Sequence, residues 1–211
     1  MKRFENKTIL VTGASSGIGL AGAKRLIEEG AHVIFTGRTE SHVQAVAAEL
    51  GDHATAVLDD VSDGNTLERI MPVVERAGAL DGVWLNAAYA AGGPLEEMDQ
   101  ATLEQIFKVN VVAPMIQMGA LSPYVKDGGS VLVTSSTAAY EGAPIVSAYA
   151  ATKAAILAAA RGWASELAPR NIRVNSLVPG PITSNLRSVL PDEMRAQFEE
   201  RLAEAVLLKR V

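Results

Sequence analysis

No cysteine occurs among the 211 residues, which removes disulfide frameworks and thiolate metal sites and fits a reducing compartment such as the cytoplasm. Aromatic residues are scarce at 5%, while hydrophobic residues make up 48%, so the core must be packed mainly from small and branched aliphatic side chains. No stretch reaches about 18 uninterrupted apolar residues, and the apolar run in the N-terminal MKRFENKTILVTG is too short for a signal-peptide core or a membrane span. Basic clusters are missing as well. With 19 Lys and Arg against 24 Asp and Glu the net charge is −5, which argues against a nucleic-acid partner and favours a small-molecule ligand. The histidines His32, His42 and His53 lie apart without paired acidic ligands, so no metal site is expected. Repeats, low-complexity tracts and Pro/Gly/Ser linkers are also lacking, and the length suits one domain spanning 1–211.

What is present is an alternation. The β-branched runs KTILVT, AHVIFT and ATAVLD are each followed by a helical pattern, around Gly17–Glu29, Ser41–Leu50 and Asp63–Arg76. DGVWLN, GSVLVTS and NIRVNSLV continue the rhythm, with helices expected at Asp99–Leu121 and Ala148–Leu167 and a last amphipathic stretch at Pro191–Ala205. Six near-continuous apolar strands joined by such helices call for an α/β fold: a doubly wound, Rossmann-type parallel sheet with helices on both faces. Ligands of such sheets sit beyond the carboxyl ends of the strands, so residues just after each strand carry the functional reading.

After the first strand stands Thr12-Gly13-Ala14-Ser15-Ser16-Gly17-Ile18-Gly19, with a helix starting inside it. Glycines let a backbone approach a pyrophosphate, and a helix N-terminus offers unpaired N–H groups and a positive dipole end. In dinucleotide folds an acid after the second strand accepts from the ribose 2′-OH; here Gly37 holds that place and Arg38 follows. A guanidinium pairs with a 2′-phosphate, with the Ser15 hydroxyl nearby, so NADP(H) is expected over NAD(H); stacking on adenine or facing solvent is the other use of Arg38.

Tyr149 and Lys153 stand at i and i+4 on one helix face. A free phenol has a pKa near 10, and a neighbouring ammonium lowers it; a fall of about 3 units takes roughly 4 kcal/mol and makes the tyrosine a general acid/base near neutrality. Ser136 follows the fifth strand, thirteen residues before Tyr149, where a hydroxyl can polarise a carbonyl oxygen that gains charge in the transition state; Ser135 and Thr137 offer the same chemistry. Asn110 lies inside a helical stretch that it disfavours, and a side chain bonded to backbone is one use for it.

The T-G-x-x-x-G-I-G spacing and Tyr149-Ala150-Ala151-Thr152-Lys153, with Asp60-Val61, Asn86-Ala87, Asn110, Ser136 and Pro179-Gly180-Pro181-Ile182 in order between and after them, resemble the short-chain dehydrogenase/reductase family along nearly the whole chain. The resemblance selects Ser136 over its neighbours. It implies an NAD(P)-dependent oxidoreductase that moves hydride between nicotinamide and a ketone or secondary alcohol, with catalytic Asn110, Ser136, Tyr149 and Lys153, and with Asn110 linked to a water that relays protons to Lys153. By the same resemblance Gly13, Ser15, Ser16, Gly17, Ile18 and Gly19 cradle the cofactor, and Asp60 and Val61 flank adenine. Asn86, Ala87 and Ala88 approach the ribose, which Tyr149 and Lys153 hold at the nicotinamide end. Pro179, Gly180 and Ile182 lie against the nicotinamide, and Thr183 or Ser184 holds its carboxamide. LNAAYA departs from the family's usual NNAG, with Ala88 in the glycine position and Tyr89 next. Family members continue past Lys209-Arg210-Val211 through a helix and a seventh strand, so a six-stranded sheet with an open edge is expected. A homodimer or homotetramer is expected too, through the helices after Ala148 and near Asp99. The competing function is a catalytically silent nucleotide-binding sensor or scaffold.

Overall fold

The structure is a computed structural model that describes residues 2–182 and 192–209. Six strands form its centre: β1 (Thr8–Val11), β2 (His32–Gly37), β3 (Ala54–Leu58), β4 (Leu80–Leu85), β5 (Val125–Thr134) and β6 (Arg173–Leu177). All neighbours pair in parallel, in the order β3-β2-β1-β4-β5-β6, so β3 and β6 are the edges. The order reverses between β1 and β4, which opens a crevice at the carboxyl end of the sheet.

The helices are α1 (Gly17–Glu28), α2 (Glu40–Leu50), α3 (Thr66–Ala77), α4 (Gln100–Phe107), α5 (Ala113–Leu121), α6 (Ser147–Leu167) and α7 (Asp192–Ala205). Strand residues alternate between two apolar layers, which is why the strands read as unbroken apolar runs. Leu10, Ile34, Val83 and Val131 pack with Ile70 of α3, Leu121 of α5 and Ile156 of α6. Ile9, Val11, Val33 and Phe35 pack on the other face with Ala23 of α1 and Val43 and Val46 of α2. Each fully buried side chain of Leu10 or Phe35 size stabilises the fold by about 1.5–3 kcal/mol. Among the described residues no helix is long and apolar enough to cross a membrane.

Two helices differ from the sequence expectation. The helix expected from Asp63 begins at Thr66, because the Asp63 carboxylate accepts from Asn65 N–H at 2.8 Å and closes a turn first. The single helix expected over Asp99–Leu121 is two helices separated by a wider π-type turn at Lys108–Val112. Asp99 caps α4, accepting from Thr102 N–H at 2.9 Å. The wider turn carries Asn110 into the interior, where its amide makes three hydrogen bonds, and such bulges cluster at functional sites.

Candidate active site

Gly13 turns the chain out of β1 with φ at +65°, and a Cβ there would stand 2.7 Å from Ala87 Cα, so only glycine lets these two loops touch. The contact is laced by hydrogen bonds. The Thr12 hydroxyl accepts from Asn86 N–H at 2.9 Å and Ala87 N–H at 3.1 Å, and Asn86 Nδ2 donates to the carbonyls of Thr12 and Gly13 at 3.1 and 3.2 Å. Asn86 Oδ1 accepts from the Thr134 hydroxyl at 3.0 Å, which itself accepts from Trp84 Nε1 at 2.8 Å. The Asn86 side chain thus ties the glycine loop to β4 and β5 at the place where the family resemblance has it approach the ribose. Ala87 and Ala88 stay half-buried beside that loop. Beyond it, Ser15, Ser16 and Ile18 are half-buried, Gly17 is exposed, and Gly19 is buried in the first turn of α1.

Ser16 precedes α1 without a side-chain cap, and no acidic residue stands in the first turn. The first N–H groups of a helix have no intrahelical partner, and among the described residues no carboxylate or hydroxyl competes for them. A backbone cradle that a Cβ would fill, beside open N–H donors, fits the pyrophosphate of a dinucleotide.

At the end of β2, Gly37 is buried under Ser15: a Cβ on Gly37 would lie 2.5 Å from the Ser15 hydroxyl oxygen. Arg38 next to it is exposed and makes no hydrogen bond or ion pair among the described residues. After β3, Asp60 accepts from Ser62 N–H at 2.9 Å and, with Val61, is half-buried at the crevice. Its neighbour Asp59, which sequence reasoning passed over, is buried and anchors that loop. Asp59 Oδ2 accepts from the Thr66 hydroxyl at 2.8 Å, Oδ1 accepts from Arg69 at 2.9 Å, and its N–H donates to the Gly37 carbonyl at 2.9 Å. Gln117 of α5, also buried, donates to Thr66 at 2.8 Å. Burial pushes the Asp59 carboxyl above the usual carboxylate range despite Arg69, because the carboxylate lies deeper than the partly exposed guanidinium.

The residues expected to do chemistry meet where β5 ends. Ser135 turns inward and donates to the Lys153 carbonyl at 2.8 Å, whereas Ser136 is half-buried and its oxygen accepts from Ala138 N–H at 3.2 Å, so its own proton stays available to donate. Tyr149 is half-buried on the first turn of α6. One turn on, Lys153 is 2% exposed; its Nζ donates to the Thr134 carbonyl at 3.1 Å and lies 5.6 Å from the centroid of the Tyr149 ring. Burial pulls the Lys153 ammonium down to about 8.

Asn110 Oδ1 accepts from Tyr89 N–H at 2.8 Å, and Nδ2 donates to the Tyr89 carbonyl at 2.8 Å and the Thr152 hydroxyl at 3.0 Å. Its side chain therefore fixes the loop after β4 and the residue before Lys153, and none of these bonds goes to Lys153 itself. Thr137 N–H donates to the Pro179 carbonyl at 2.9 Å, which brings Pro179 against the turn carrying Ser136, and Gly180 and Ile182 follow it with exposed surface. Thr183 and Ser184 lie outside the described residues. Thr12, Thr36, Thr134 and Thr152, each at a strand end or next to Lys153, organise this cluster; that position is the only signal the sequence offered for them.

Comparison with known proteins agrees with this architecture. Residues 7–195 match the short chain dehydrogenase family. Dehydrogenase/reductase SDR family member 4 of Sus scrofa is 36% identical over 218 residues, covering 100% of this chain and 77% of that protein. Among solved structures, a short chain dehydrogenase from Burkholderia cenocepacia in complex with NADP superposes with a TM-score of 0.86 at 30% identity, over 99% of this chain and 85% of that one. A 3-ketoacyl-(acyl-carrier-protein) reductase from Brucella melitensis complexed with NADH gives 0.89 at 28% identity, over 99% and 86%. The chain belongs to the short-chain dehydrogenase/reductase family. It is accordingly an oxidoreductase of small molecules that works with a nicotinamide cofactor.

Proposed function

We propose that the protein interconverts a ketone and a secondary alcohol with NADP(H), using Tyr149 as general acid/base. The observation that carries this reading is the buried Lys153 ammonium beside the Tyr149 ring at the carboxyl end of β5. In that desolvated place a cation favours the phenolate, so Tyr149 can give up and retake the proton of the substrate hydroxyl near neutral pH. Ser136 donates to the same substrate oxygen and stabilises charge that develops there. Lys153 tunes the phenol and, by resemblance, grips the nicotinamide ribose. Asn110 acts as a positioning residue that holds Tyr89 and Thr152. The dinucleotide, when bound, supplies or accepts the hydride.

Gly13, Ser15, Ser16, Gly17, Ile18 and Gly19 would hold the pyrophosphate, with Asp60 and Val61 beside adenine and the backbone of 86–88 along the ribose. Arg38 and Ser15 would take the 2′-phosphate, since Arg38 has no acidic partner among the described residues and an acid at Gly37 would collide with Ser15. Pro179, Gly180 and Ile182 would pack on the nicotinamide, and Thr183 would hold its carboxamide. The fold is read as one domain acting as a homodimer or homotetramer. Following NADPH absorbance with a panel of ketones, beside NADPH binding alone, tests the proposal: ketone-dependent oxidation is expected, and tight binding without turnover of any ketone would favour the sensor or scaffold reading.

A further inference from the structure

Ile145 has a backbone φ of 62°, in the left-handed region. A β-branched residue is disfavoured there, because its Cβ crowds the following carbonyl, and it persists only where the surroundings impose it. Here Gly92 and Gly93 impose it. Gly93 N–H donates to the Ile145 carbonyl at 2.9 Å, and a Cβ on Gly92 would lie 2.3 Å from that same oxygen. Glycine or asparagine would form this turn with less strain, so the turn itself does not account for an isoleucine. What the isoleucine adds is its side chain, on a residue 52% exposed in the segment that joins Ser136 to Tyr149.

Three segments meet around this point. The loop 87–95 is tied to 137–146 through Gly93 and Ile145, and 137–146 is tied to 178–182 through Thr137 and Pro179. Their described residues include no Lys, Arg or His, and Glu141 is the one acid among them. Leu95, Tyr140, Ile145 and Ile182 all expose apolar surface there. A phosphate, carboxylate or coenzyme A ester would need a cation, and a polyol would need converging hydrogen-bond groups, of which these segments offer only Tyr89, Thr137, Tyr140 and Glu141.

We propose that Ile145, four residues before Tyr149 and locked in place by Gly92 and Gly93, is a specificity-determining residue whose side chain forms an apolar wall of the substrate site and selects uncharged carbonyl compounds with an apolar substituent. The inference rests on the oxidoreductase reading above. Two probe ketones test it, acetophenone and hydroxyacetone, with kcat/KM measured for wild type, Ile145→Asn and Ile145→Val. Wild type is expected to favour acetophenone by about tenfold or more, and Ile145→Asn to lose about tenfold of that preference with unchanged NADPH affinity. Because asparagine tolerates the left-handed backbone, the same variant should melt about 2–4 °C higher. Ile145→Val, which keeps both the branch and the wall, should resemble wild type. An unchanged preference in Ile145→Asn or a wild-type preference for hydroxyacetone overturns the wall, and a lower melting temperature for Ile145→Asn overturns the strain that Gly92 and Gly93 impose. Binding of both ketones to the NADPH complex of Tyr149→Phe, read by cofactor fluorescence, separates the two claims. Discrimination in binding without wild-type turnover sinks the oxidoreductase reading alone, and turnover without discrimination sinks the wall alone.

Discussion

The Lys153 ammonium lies 5.6 Å from the centroid of the Tyr149 ring, its Nζ donating to the Thr134 carbonyl at the end of β5. The same burial that makes this cation effective on the phenol disfavours its charge in the folded state, so the pairing costs stability. The Lys153 pKa falls from 10.5 to about 8 on folding, so between those values the unfolded chain binds more protons than the folded one, and stability rises with pH. The cost is fully present below pH 8 and gone above pH 10.5; by the size of the gap it is about 3 kcal/mol. Lys153→Met should therefore melt higher than wild type at pH 7, with the difference shrinking toward pH 10.5, while losing activity. Melting curves of both proteins across that range check it; a variant less stable than wild type at pH 7 contradicts the burial cost.

At the other end of the crevice, Gly37→Asp alone should weaken NADP(H) and NAD(H) alike, because the new Cβ would stand 2.5 Å from the Ser15 hydroxyl and displace the loop. Because a Cβ on Gly37 would also stand 2.7 Å from Val43 Cγ2, combining Gly37→Asp with both Ser15→Gly and Val43→Ala removes the collisions and should yield a protein that prefers NAD(H), since a carboxylate accepts from a 2′-OH and repels a 2′-phosphate. Titrations of both cofactors decide it. NAD(H) preferred by the wild type would defeat the assignment to Arg38.

The buried relay from Gln117 through Thr66 to Asp59 should be intolerant of apolar replacement. Thr66→Val leaves the Gln117 amide and the Asp59 carboxylate each one partner short, a loss of about 1–3 kcal/mol. Urea unfolding midpoints measure it, and an unchanged midpoint would show that water replaces the hydroxyl.

Helix α5 and the turn before it expose Val112, Met115 and Ile116, with Phe107 at the end of α4. An apolar face of that kind suits a subunit contact. Light scattering should find a dimer or tetramer, and Ile116→Glu should shift it toward monomer; a monodisperse wild-type monomer would remove the claim.

The six strands, the glycine loop and the Tyr149/Lys153 pair were legible in the sequence because each is local: apolar runs, a spacing, an i to i+4 relation. What was not legible depends on partners far along the chain. The wider turn at Lys108–Val112 exists for bonds between Asn110 and Tyr89, 21 residues away in sequence, and no helical periodicity encodes it. Asn86 was expected near the ribose by the family resemblance, whereas its bonds to Thr12, Gly13 and Thr134 arise only when three strand ends converge. Ile145 gave no signal at all, since a β-branched residue is the last expected in a left-handed turn.

If Tyr149 transfers the proton, removing its hydroxyl must slow turnover without loosening the cofactor. Steady-state reduction of a ketone substrate at saturating NADPH, measured for wild type and Tyr149→Phe together with the NADPH dissociation constant of each, tests it most directly. The ring stays and only the hydroxyl goes, so kcat should fall about a hundredfold or more while the dissociation constant changes by less than about twofold. A phenylalanine variant that keeps most of its kcat would contradict the account.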